Sequence, residues 1–287
     1  MDFQTQFNKY LNDINSYLEA VIGGKNGKIY DAMRYSLYAG GKRIRPILTL
    51  ACCDALNGKK NAALCFGSSL EMIHTYSLIH DDLPCMDNDD LRRGKPTNHI
   101  VYGENIAVLA GDGLLNFACE NIVKAENIDA ELKLKALDII YSASGADGMI
   151  QGQMLDLAAE TVKISGMELQ ELHRKKTGAL IKAASSLGAI CSGESETLFD
   201  TFSDSVGLAF QIRDDILDIE GDEAVFGKPI RSDEKNEKTT YVTLYGIDGA
   251  KHILSEETEK ALDSIEFLGE KGEFLRNLAM YLLNRTN

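Results

Sequence analysis

The sequence lacks the features of a secreted or membrane-bound protein. Its N-terminal residues have neither the basic nor the apolar region of a signal peptide. No stretch of about 20 uninterrupted apolar residues occurs, so no membrane-spanning helix is predicted. The six cysteines include no C-x-x-C pair, which argues against a disulfide framework or a zinc site. We interpret them as reduced thiols of a cytoplasmic protein.

Positive charge is also scarce. The chain has 30 lysines and arginines against 44 aspartates and glutamates, which gives a net charge of −14. Nonspecific nucleic-acid binding needs a basic surface, so no nucleic-acid partner is expected. If an acidic protein like this one binds phosphorylated ligands, it must reverse its field locally with metal ions or clustered lysines and arginines.

Prolines and linkers are too few to divide the 287 residues. Only four prolines occur, each at a proposed helix start or in a loop, and no Pro/Gly/Ser-rich segment interrupts the sequence. Strand-like alternation is absent, whereas apolar residues recur at helical spacing nearly throughout. We predict an all-α bundle, a single domain over 1–287, with helices near 2–20, 28–40, 45–57, 61–83, 105–126, 129–144, 147–162, 168–192, 196–220, 239–262 and 268–284.

The first of two aspartate clusters follows a long apolar helix. Asp81 and Asp82 stand at the predicted end of that helix. Pro84 disfavours helix for the residue before it, so Asp87 is expected to return from a loop. A solvated acidic face is the alternative for such a cluster taken alone.

The second cluster also lies in an apolar helical segment. Asp214 and Asp218 are four residues apart and share one helical face, with Asp215 beside them. Like charges this close repel, and burying them without compensation is costly. Mg²⁺ resolves that cost, because it binds one or two carboxylates together with phosphate oxygens. Two such clusters facing each other would hold magnesium ions with a diphosphate between them.

Cations accompany the two clusters along the chain. Any one of them alone would be interpreted as a solvated surface charge, but together with two carboxylate clusters they indicate phosphate binding. They are Lys42, Arg45, Arg92, Arg93, Lys175, Lys176, Lys228 and Lys238.

From about Tyr35 to Gly246 the sequence resembles the short-chain trans-isoprenyl diphosphate synthases, in particular the farnesyl diphosphate synthase type found in bacteria. The resemblance rests on specific motifs, which are Gly40-Gly41-Lys42-Arg43-Ile44-Arg45-Pro46, the run from Asp81 to Gly94, Gly152-Gln153-Met154-Leu155-Asp156, Lys176-Thr177-Gly178, and Phe210-Gln211 before Asp214-Asp215.

The resemblance implies an all-α fold of ten or more helices around a central apolar cavity, usually in a homodimer. It implies head-to-tail condensation of isopentenyl diphosphate with an allylic diphosphate, with about three Mg²⁺ per active site. The metal ligands it implies are Asp81, Asp82, Asp87, Asp214, Asp215 and Asp218.

The resemblance also assigns the cations. The isopentenyl diphosphate pocket is matched by Lys42, Arg45, His74 and Arg93. The allylic diphosphate is matched by Arg92, Lys176, Thr177, Gln211, Lys228 and Lys238, of which the first four also carry the catalytic role. A basic C-terminal residue often helps to close the site in this family, but the ending Asn284-Arg285-Thr286-Asn287 makes that role doubtful for Arg285.

The implied mechanism has three steps. Mg²⁺ and the cations withdraw charge from the allylic diphosphate until it leaves. Isopentenyl diphosphate then attacks the allylic cation, which Thr177, Gln211 and the backbone at Lys176 stabilise. Finally a proton is lost to the released diphosphate. His74 fits a binding role better than that of a base, and a packed core histidine is its alternative.

Tyr76 and Ser77 are the candidates for setting product length. Tyr76 lies five residues before Asp81, which is ~7.5 Å along a helix, so its ring should obstruct a growing chain, whereas Ser77 is too small to do so. In the family, an aromatic residue here and two extra residues inside the first motif (Pro84-Cys85) resemble the farnesyl type. Ordinary core packing is the alternative for Tyr76.

Several other functions are compatible with parts of the sequence. The chain could make geranylgeranyl or geranyl diphosphate instead. A class I terpene cyclase shares the ionisation chemistry but takes no second diphosphate, so the isopentenyl pocket argues against it. A non-catalytic partner subunit of a heteromeric synthase usually lacks one or both aspartate motifs, and both are complete here.

Overall fold

The computed structural model describes residues 2–220 and 238–283, and most of them are helical. The prediction of an all-α fold with ten or more helices is confirmed, while the single domain over 1–287 stays a prediction. The α-helices are α1 Phe3–Ile22, α2 Lys28–Leu37, α3 Ile44–Ala55, α4 Lys60–Asp81, α5 Asn98–Tyr102, α6 Glu104–Lys124, α7 Ala130–Ser144, α8 Met149–Ala159, α9 Gly166–His173, α10 Ala179–Ile190, α11 Asp200–Glu220, α12 Tyr241–Ser264 and α13 Glu273–Leu283.

Helix α4 is a core helix. Its side chains Phe66, Leu70 and Met72 are all 0% exposed, and buried residues occur on several of its faces, as expected for a helix surrounded by others. It packs against α3 and α6, and α3 in turn packs against α10. The C-terminal end of α4 carries Asp81. Packing of the core therefore fixes the position of the first aspartate cluster.

Side-chain caps define several helix starts. Asp129 accepts hydrogen bonds from the backbone N–H groups at the start of α7. Ser165 and Glu168 cap each other's backbone at the start of α9, and Thr240 and Thr243 do the same for α12. Such caps satisfy N–H groups that have no partner within the helix.

The segment predicted as one helix over 168–192 is divided into three parts. Between α9 and α10 the residues Arg174–Gly178 form a π-helical turn, which contains one residue more than an α-helical turn would. Gly152 of α8 packs directly on this turn, because a Cβ atom at position 152 would lie 2.2 Å from the backbone N of Lys176. The turn also packs against α11.

A short hairpin and a short helix were not predicted. Strand β1, Leu91–Arg92, pairs antiparallel with β2, Lys95–Pro96. Arg93 and Gly94 connect them with φ angles of 54° and 72°, as a two-residue type I′ turn requires. Two-residue strands are too short to show alternation. The five-residue helix α5 is likewise too short to show a periodic pattern.

The last two helices, α12 and α13, also differ from the predicted ones. Gly246, with φ 70°, interrupts α12, and a 3₁₀-helix, Glu266–Gly272, precedes α13 where one continuous helix over 268–284 is predicted. Both departures occur at or beside glycines, Gly246 and Gly269, that adopt positive φ angles.

One helix of the described chain, α6, is long and apolar enough to cross a membrane by length and composition. Core helices pass the same test, and 44% of its most apolar 18-residue window is buried inside the protein. The helix packs on α4 and α2. It is therefore only weak evidence for a span, and the cytoplasmic location stays a prediction.

Candidate active site

The first aspartate cluster folds as the sequence predicts. Helix α4 ends at Asp81, and the following chain turns back so that the backbone N–H of Asp87 donates to the backbone carbonyl of Asp81 at 2.9 Å. Asn88 completes the turn in the left-handed region, with φ 53°. The loop therefore brings Asp87 back beside the helix end, next to Asp81.

The carboxylates of Asp81 and Asp82 are destabilised in the absence of a cation. The pKa of Asp81 is raised to about 6, mainly by burial; Asp87 and Asp82 add to the rise, and Lys176 and Arg92 oppose it. Burial also raises the pKa of Asp82. Bound Mg²⁺ would offset both costs, and it prefers oxygen ligands of this kind.

The fit to Mg²⁺ is a fit of chemistry rather than of a preformed cage. Within residues 2–220 and 238–283, no three histidine, cysteine or acidic side chains are already grouped as a metal site. Mg²⁺ usually takes only one or two carboxylates and completes its octahedron with water and substrate phosphate oxygens. The cluster around Asp81 and Asp87 matches that kind of site.

Arg92 is tied to the acidic loop. Its Nε and Nη2 atoms lie 2.6 and 2.5 Å from Oδ1 of Asp82, and Nη2 lies 3.4 Å from Asp89. Burial lowers the pKa of Arg92, but these carboxylates raise it to a net value above the ordinary one. The guanidinium is thereby held next to the proposed metal ligands, with its Nη1 donors outside both contacts.

Arg93 explains the two glycines that precede Lys42. Its guanidinium donates to the backbone carbonyl of Gly40 and lies against Gly41. A Cβ atom at position 41 would be 2.6 Å from Cζ of Arg93. Gly40 and Gly41 also have φ angles of 97° and 115°, which side chains disfavour. The glycine pair therefore allows the loop before α3 to pack on the hairpin turn.

Arg45 and His74 line a large, mainly apolar cavity. Nε of Arg45 is buried without a hydrogen-bond partner among the described residues. Burial and the neighbouring Arg93 lower the pKa of Arg45. Burial and four surrounding arginines, Arg45 and Arg93 among them, hold the pKa of His74 well below its ordinary value. A diphosphate would relieve this crowding of positive groups.

Lys42 completes the predicted isopentenyl set from the exposed side. Its Nζ atom lies 5.6 Å from the centre of the Tyr281 ring on α13. Of the four predicted residues, Arg45, His74 and Arg93 influence one another electrostatically. Lys42 lies in the glycine loop before α3, two residues after Gly40.

The cavity has a volume of about 550 Å³ and an apolar lining from α4, α6, α8 and the π-helical turn. The α4 residues that line it extend from His74 to Asp81, and they include Tyr76 and Ser77. The Tyr76 ring is 6% exposed and meets the ring of His80 edge-on at 5.7 Å. Ser77 donates to the backbone of its own helix. An aromatic ring therefore forms part of the cavity wall, while its role in setting product length stays a prediction.

Lys176 and Thr177 reach the same cavity from the π-helical turn. Nζ of Lys176 lies 2.5 Å from Oδ2 of Asp156 on α8. Burial would lower the pKa of Lys176, but Asp156, Asp81 and Asp87 raise it above its ordinary value. Lys176 thus connects the first aspartate cluster to Asp156, a residue that the sequence motif contains but to which no role was assigned.

The second aspartate cluster lies on α11. Asp215 and Asp218 are 8% and 5% exposed, and Asp214 is half-buried. Oδ2 of Asp215 accepts a hydrogen bond from the backbone N–H of Tyr241 at 2.7 Å, so this carboxylate caps α12. Gln211, one turn earlier, is half-buried. Burial lowers the pKa of His173 to about 4, against the opposing effects of Asp156 and Gln211.

The lining of the 550 Å³ cavity includes Asp81 but none of the α11 aspartates. The facing arrangement of the two clusters stays a prediction. Lys238 is half-buried just before α12. Lys228 and Arg285 lie outside the described residues.

Two charged residues near the site were missed by sequence reasoning. Arg43 is 4% exposed and Glu71 is 2% exposed, and they form a buried ion pair of 3.0 Å beneath Arg45 and His74. The sequence offers three cations within four positions of the glycine loop, and nothing in that pattern tells which of them points inwards.

Comparison with known proteins gives one consistent result. A family model described as "Polyprenyl synthetase" matches residues 26–270. The chain is 43% identical over 279 residues to farnesyl diphosphate synthase of Micrococcus luteus, with 96% of each chain covered. It is 43% identical over 296 residues to geranylgeranyl diphosphate synthase of Cyanophora paradoxa, with 99% of each covered. The crystal structure of a geranyltransferase from Legionella pneumophila superposes with a TM-score of 0.89 at 33% identity, covering 99% of this chain and 98% of that one.

Proposed function

The chain belongs to the polyprenyl synthetase family and is a prenyltransferase, and we propose that it condenses isopentenyl diphosphate with dimethylallyl and geranyl diphosphate to give farnesyl diphosphate. Several bacterial relatives at 42–47% identity carry the name farnesyl diphosphate synthase. A relative from Cyanophora paradoxa is named for the geranylgeranyl product, so product length has to be argued from this chain's own cavity.

The observation that carries the proposal is the mixed character of that cavity. Its lining is apolar along α4, α6 and α8, which suits a prenyl chain. Arg45, His74 and Lys176 join the same lining as polar groups, next to the carboxylate of Asp81. One space thus offers an apolar wall for hydrocarbon and charged groups for two diphosphates.

The allylic diphosphate leaves in the first step. Bound Mg²⁺, about three ions held by the carboxylates of the two clusters, would supply the charge neutralisation that makes the diphosphate a good leaving group. In this proposal Lys176 and Arg92 add fixed positive charge at the same position. Both are already oriented by carboxylates, Lys176 by Asp156 and Arg92 by Asp82, so little reorganisation is needed.

The allylic cation that remains needs nearby dipoles and exclusion of water. Thr177 and the backbone of the π-helical turn border the cavity at this point, and Gln211 approaches from α11 in the proposed arrangement. The double bond of isopentenyl diphosphate attacks carbon 1 of the cation, and a proton is then lost to the released diphosphate. The depressed pKa of His74 supports a neutral binding group there.

Isopentenyl diphosphate occupies the pocket of Lys42, Arg45, His74 and Arg93 in this proposal. The unpartnered Nε of Arg45 supports it, because a buried donor without an acceptor is costly and a phosphate oxygen would satisfy it. A terpene cyclase has no use for this second anion pocket.

A homodimer is also proposed. Apolar side chains on the outer faces of α5 and α6 are exposed by 40–53%, a pattern typical of surfaces that bind another protein. They are Ile100, Val101, Val108 and Leu109. Leu109→Glu should shift the protein to the monomeric mass in light scattering, and an unchanged mass would exclude this face.

Product analysis tests the function directly. The purified chain is incubated with Mg²⁺, isopentenyl diphosphate and either dimethylallyl or geranyl diphosphate, and products are sized by mass spectrometry. A fifteen-carbon product is expected from both starters. A twenty-carbon or ten-carbon product would replace farnesyl by the geranylgeranyl or geranyl alternative, and no condensation by the chain alone would favour a partner subunit.

A further inference from the structure

Arg43 has three polar contacts in the protein interior. Its Nη1 atom lies 3.0 Å from Oε1 of Glu71, its Nη2 donates to the backbone carbonyl of Leu37, and its Nε donates to Oδ1 of Asn15 at 3.4 Å. Arg43 also has a φ angle of 49° and is the residue that precedes α3. The side chain of this loop residue is therefore anchored inwards.

Glu71 is the anion at the base of a group of cations. It lies on α4 one turn before His74, a residue of the proposed isopentenyl pocket. Glu71 raises the pKa values of Arg45 and Arg93, against the lowering that burial causes in both. The carboxylate is thus close enough to attract three guanidinium groups, and it makes its ion pair with Arg43.

The competition between these guanidinium groups has a functional consequence. We propose that Arg43 is a positioning residue: its ion pair occupies Glu71, so that Arg45 and Arg93 stay available to the diphosphate of isopentenyl diphosphate. The inference rests on the proposed function, because it takes Arg45 and Arg93 as ligands of that substrate. Arg43 itself touches no substrate in this arrangement.

Loss of Arg43 should redirect Glu71 rather than merely loosen the loop. A buried carboxylate that loses its partner carries a large penalty, and the nearest way to relieve it is to pair with another cation. Arg45 and Arg93 are the cations that its field already reaches. Once either has paired with Glu71, it is withdrawn from the diphosphate. Removing the carboxylate as well should therefore restore the pocket.

The test is a double-mutant cycle with Arg43→Gln, Glu71→Gln and the combined variant. Glutamine keeps a polar group of similar length at each position but removes its charge. We expect Arg43→Gln to raise KM for isopentenyl diphosphate at least tenfold, with KM for geranyl diphosphate changed less than twofold. The double variant should return KM for isopentenyl diphosphate to within threefold of the wild type, and Glu71→Gln alone should stay within threefold.

A matched control separates this effect from a general loss of stability. Tyr10→Phe removes a part-buried hydrogen bond of 2.8 Å to Asp54, at the opposite end of α3 from Arg43. It should lower Tm without changing either KM. Circular dichroism and Tm are recorded for every variant, so that KM is compared only among folded proteins.

Three results would overturn the proposal: equal changes in both KM values for Arg43→Gln, a double variant worse than Arg43→Gln, or a tenfold rise for Glu71→Gln alone. The last remains decisive even if Arg43→Gln does not fold. The wild-type assay separates this inference from the function. Absence of isopentenyl incorporation by the wild type refutes the function itself, whereas failure of the cycle in an active enzyme refutes only the role of Arg43.

Discussion

The two aspartate clusters use the same residue type in different structural settings. Around α4, Asp81 lies beside Asp87, and Lys176 and Arg92 neutralise part of the charge. On α11, the carboxylate of Asp215 serves as the cap of α12. In the first cluster the burial of Asp81 and Asp82 is thus costly, whereas the second also contributes to holding two helices together. Substitutions should separate chemistry from stability in the first cluster and mix them in the second.

The largest effect is expected for Asp81→Ala. It should lower kcat by about 10²–10³-fold, because it removes a ligand for the charge that stabilises the leaving diphosphate. Tm should stay equal or rise, since a buried carboxylate with a pKa of about 6 costs stability when ionised at neutral pH. Steady-state kinetics and a thermal melt measure both. Asp90→Asn, an exposed residue of the same loop, is the control and should leave both unchanged. A fall in Tm with normal kcat would make Asp81 structural.

A second experiment compares neighbours on α11. Asp214→Ala should lower kcat roughly tenfold to 10²-fold, by the same loss of charge stabilisation. Asp215→Ala should also lower Tm by about 2 °C, because losing a helix cap costs about 1 kcal/mol. Differential scanning fluorimetry measures Tm and steady-state kinetics measure kcat for both variants. An unchanged Tm for Asp215→Ala would show that its contact with the backbone of Tyr241 does not stabilise the fold.

Gly41→Ala should have an effect of intermediate size on the binding of isopentenyl diphosphate, confined to the surroundings of the first aspartate cluster. The added Cβ would press on the Arg93 guanidinium and strain a backbone with φ 115°, so KM for isopentenyl diphosphate should rise about tenfold. Gly24→Ala is the matched control, because a Cβ there meets nothing within 4 Å. If both variants behave alike, the contact between Arg93 and the glycine loop has no role in binding.

The smallest effect on rate, with a change in product, is expected for Tyr76→Ala. Removing the ring opens the cavity wall beside His80, so the chain should add a further five-carbon unit while kcat falls only a few-fold. Mass analysis with geranyl diphosphate as starter checks it. Ser77→Ala should leave the product unchanged, since Ser77 is already small. A fifteen-carbon product from Tyr76→Ala would assign the ring to core packing alone.

The sequence predicted those parts of the site that depend on local signals. Pro84 after Asp82 indicates that the helix ends and the chain returns, and the structure places Asp87 against Asp81 accordingly. The inward direction of Arg43 was not predictable in this way. It depends on Glu71, which is 28 positions away in the sequence and is brought near by the packing of α3 against α4.

The parts of the fold that were missed lacked a repeating signal. A π-helical turn differs from an α-helix by one residue, and a hairpin of two-residue strands shows no alternation. The turn between those strands carries Arg93 rather than the asparagine or aspartate that usually marks it. The same arginine also contacts the loop before α3, so its position reflects tertiary contacts rather than turn propensity.

The π-helical turn makes the length of this segment as important as its composition. One face of the turn meets Gly152 through Lys176, and the other meets α11, where a Cβ at Gly207 would lie 3.3 Å from Gly178. Deleting any one residue of Arg174–Gly178 would restore α-helical winding but rotate α9 by about 100° relative to α10. Both contacts could not then be kept. Single deletions in this stretch should therefore abolish activity even at Arg174, whose side chain is exposed and can be replaced.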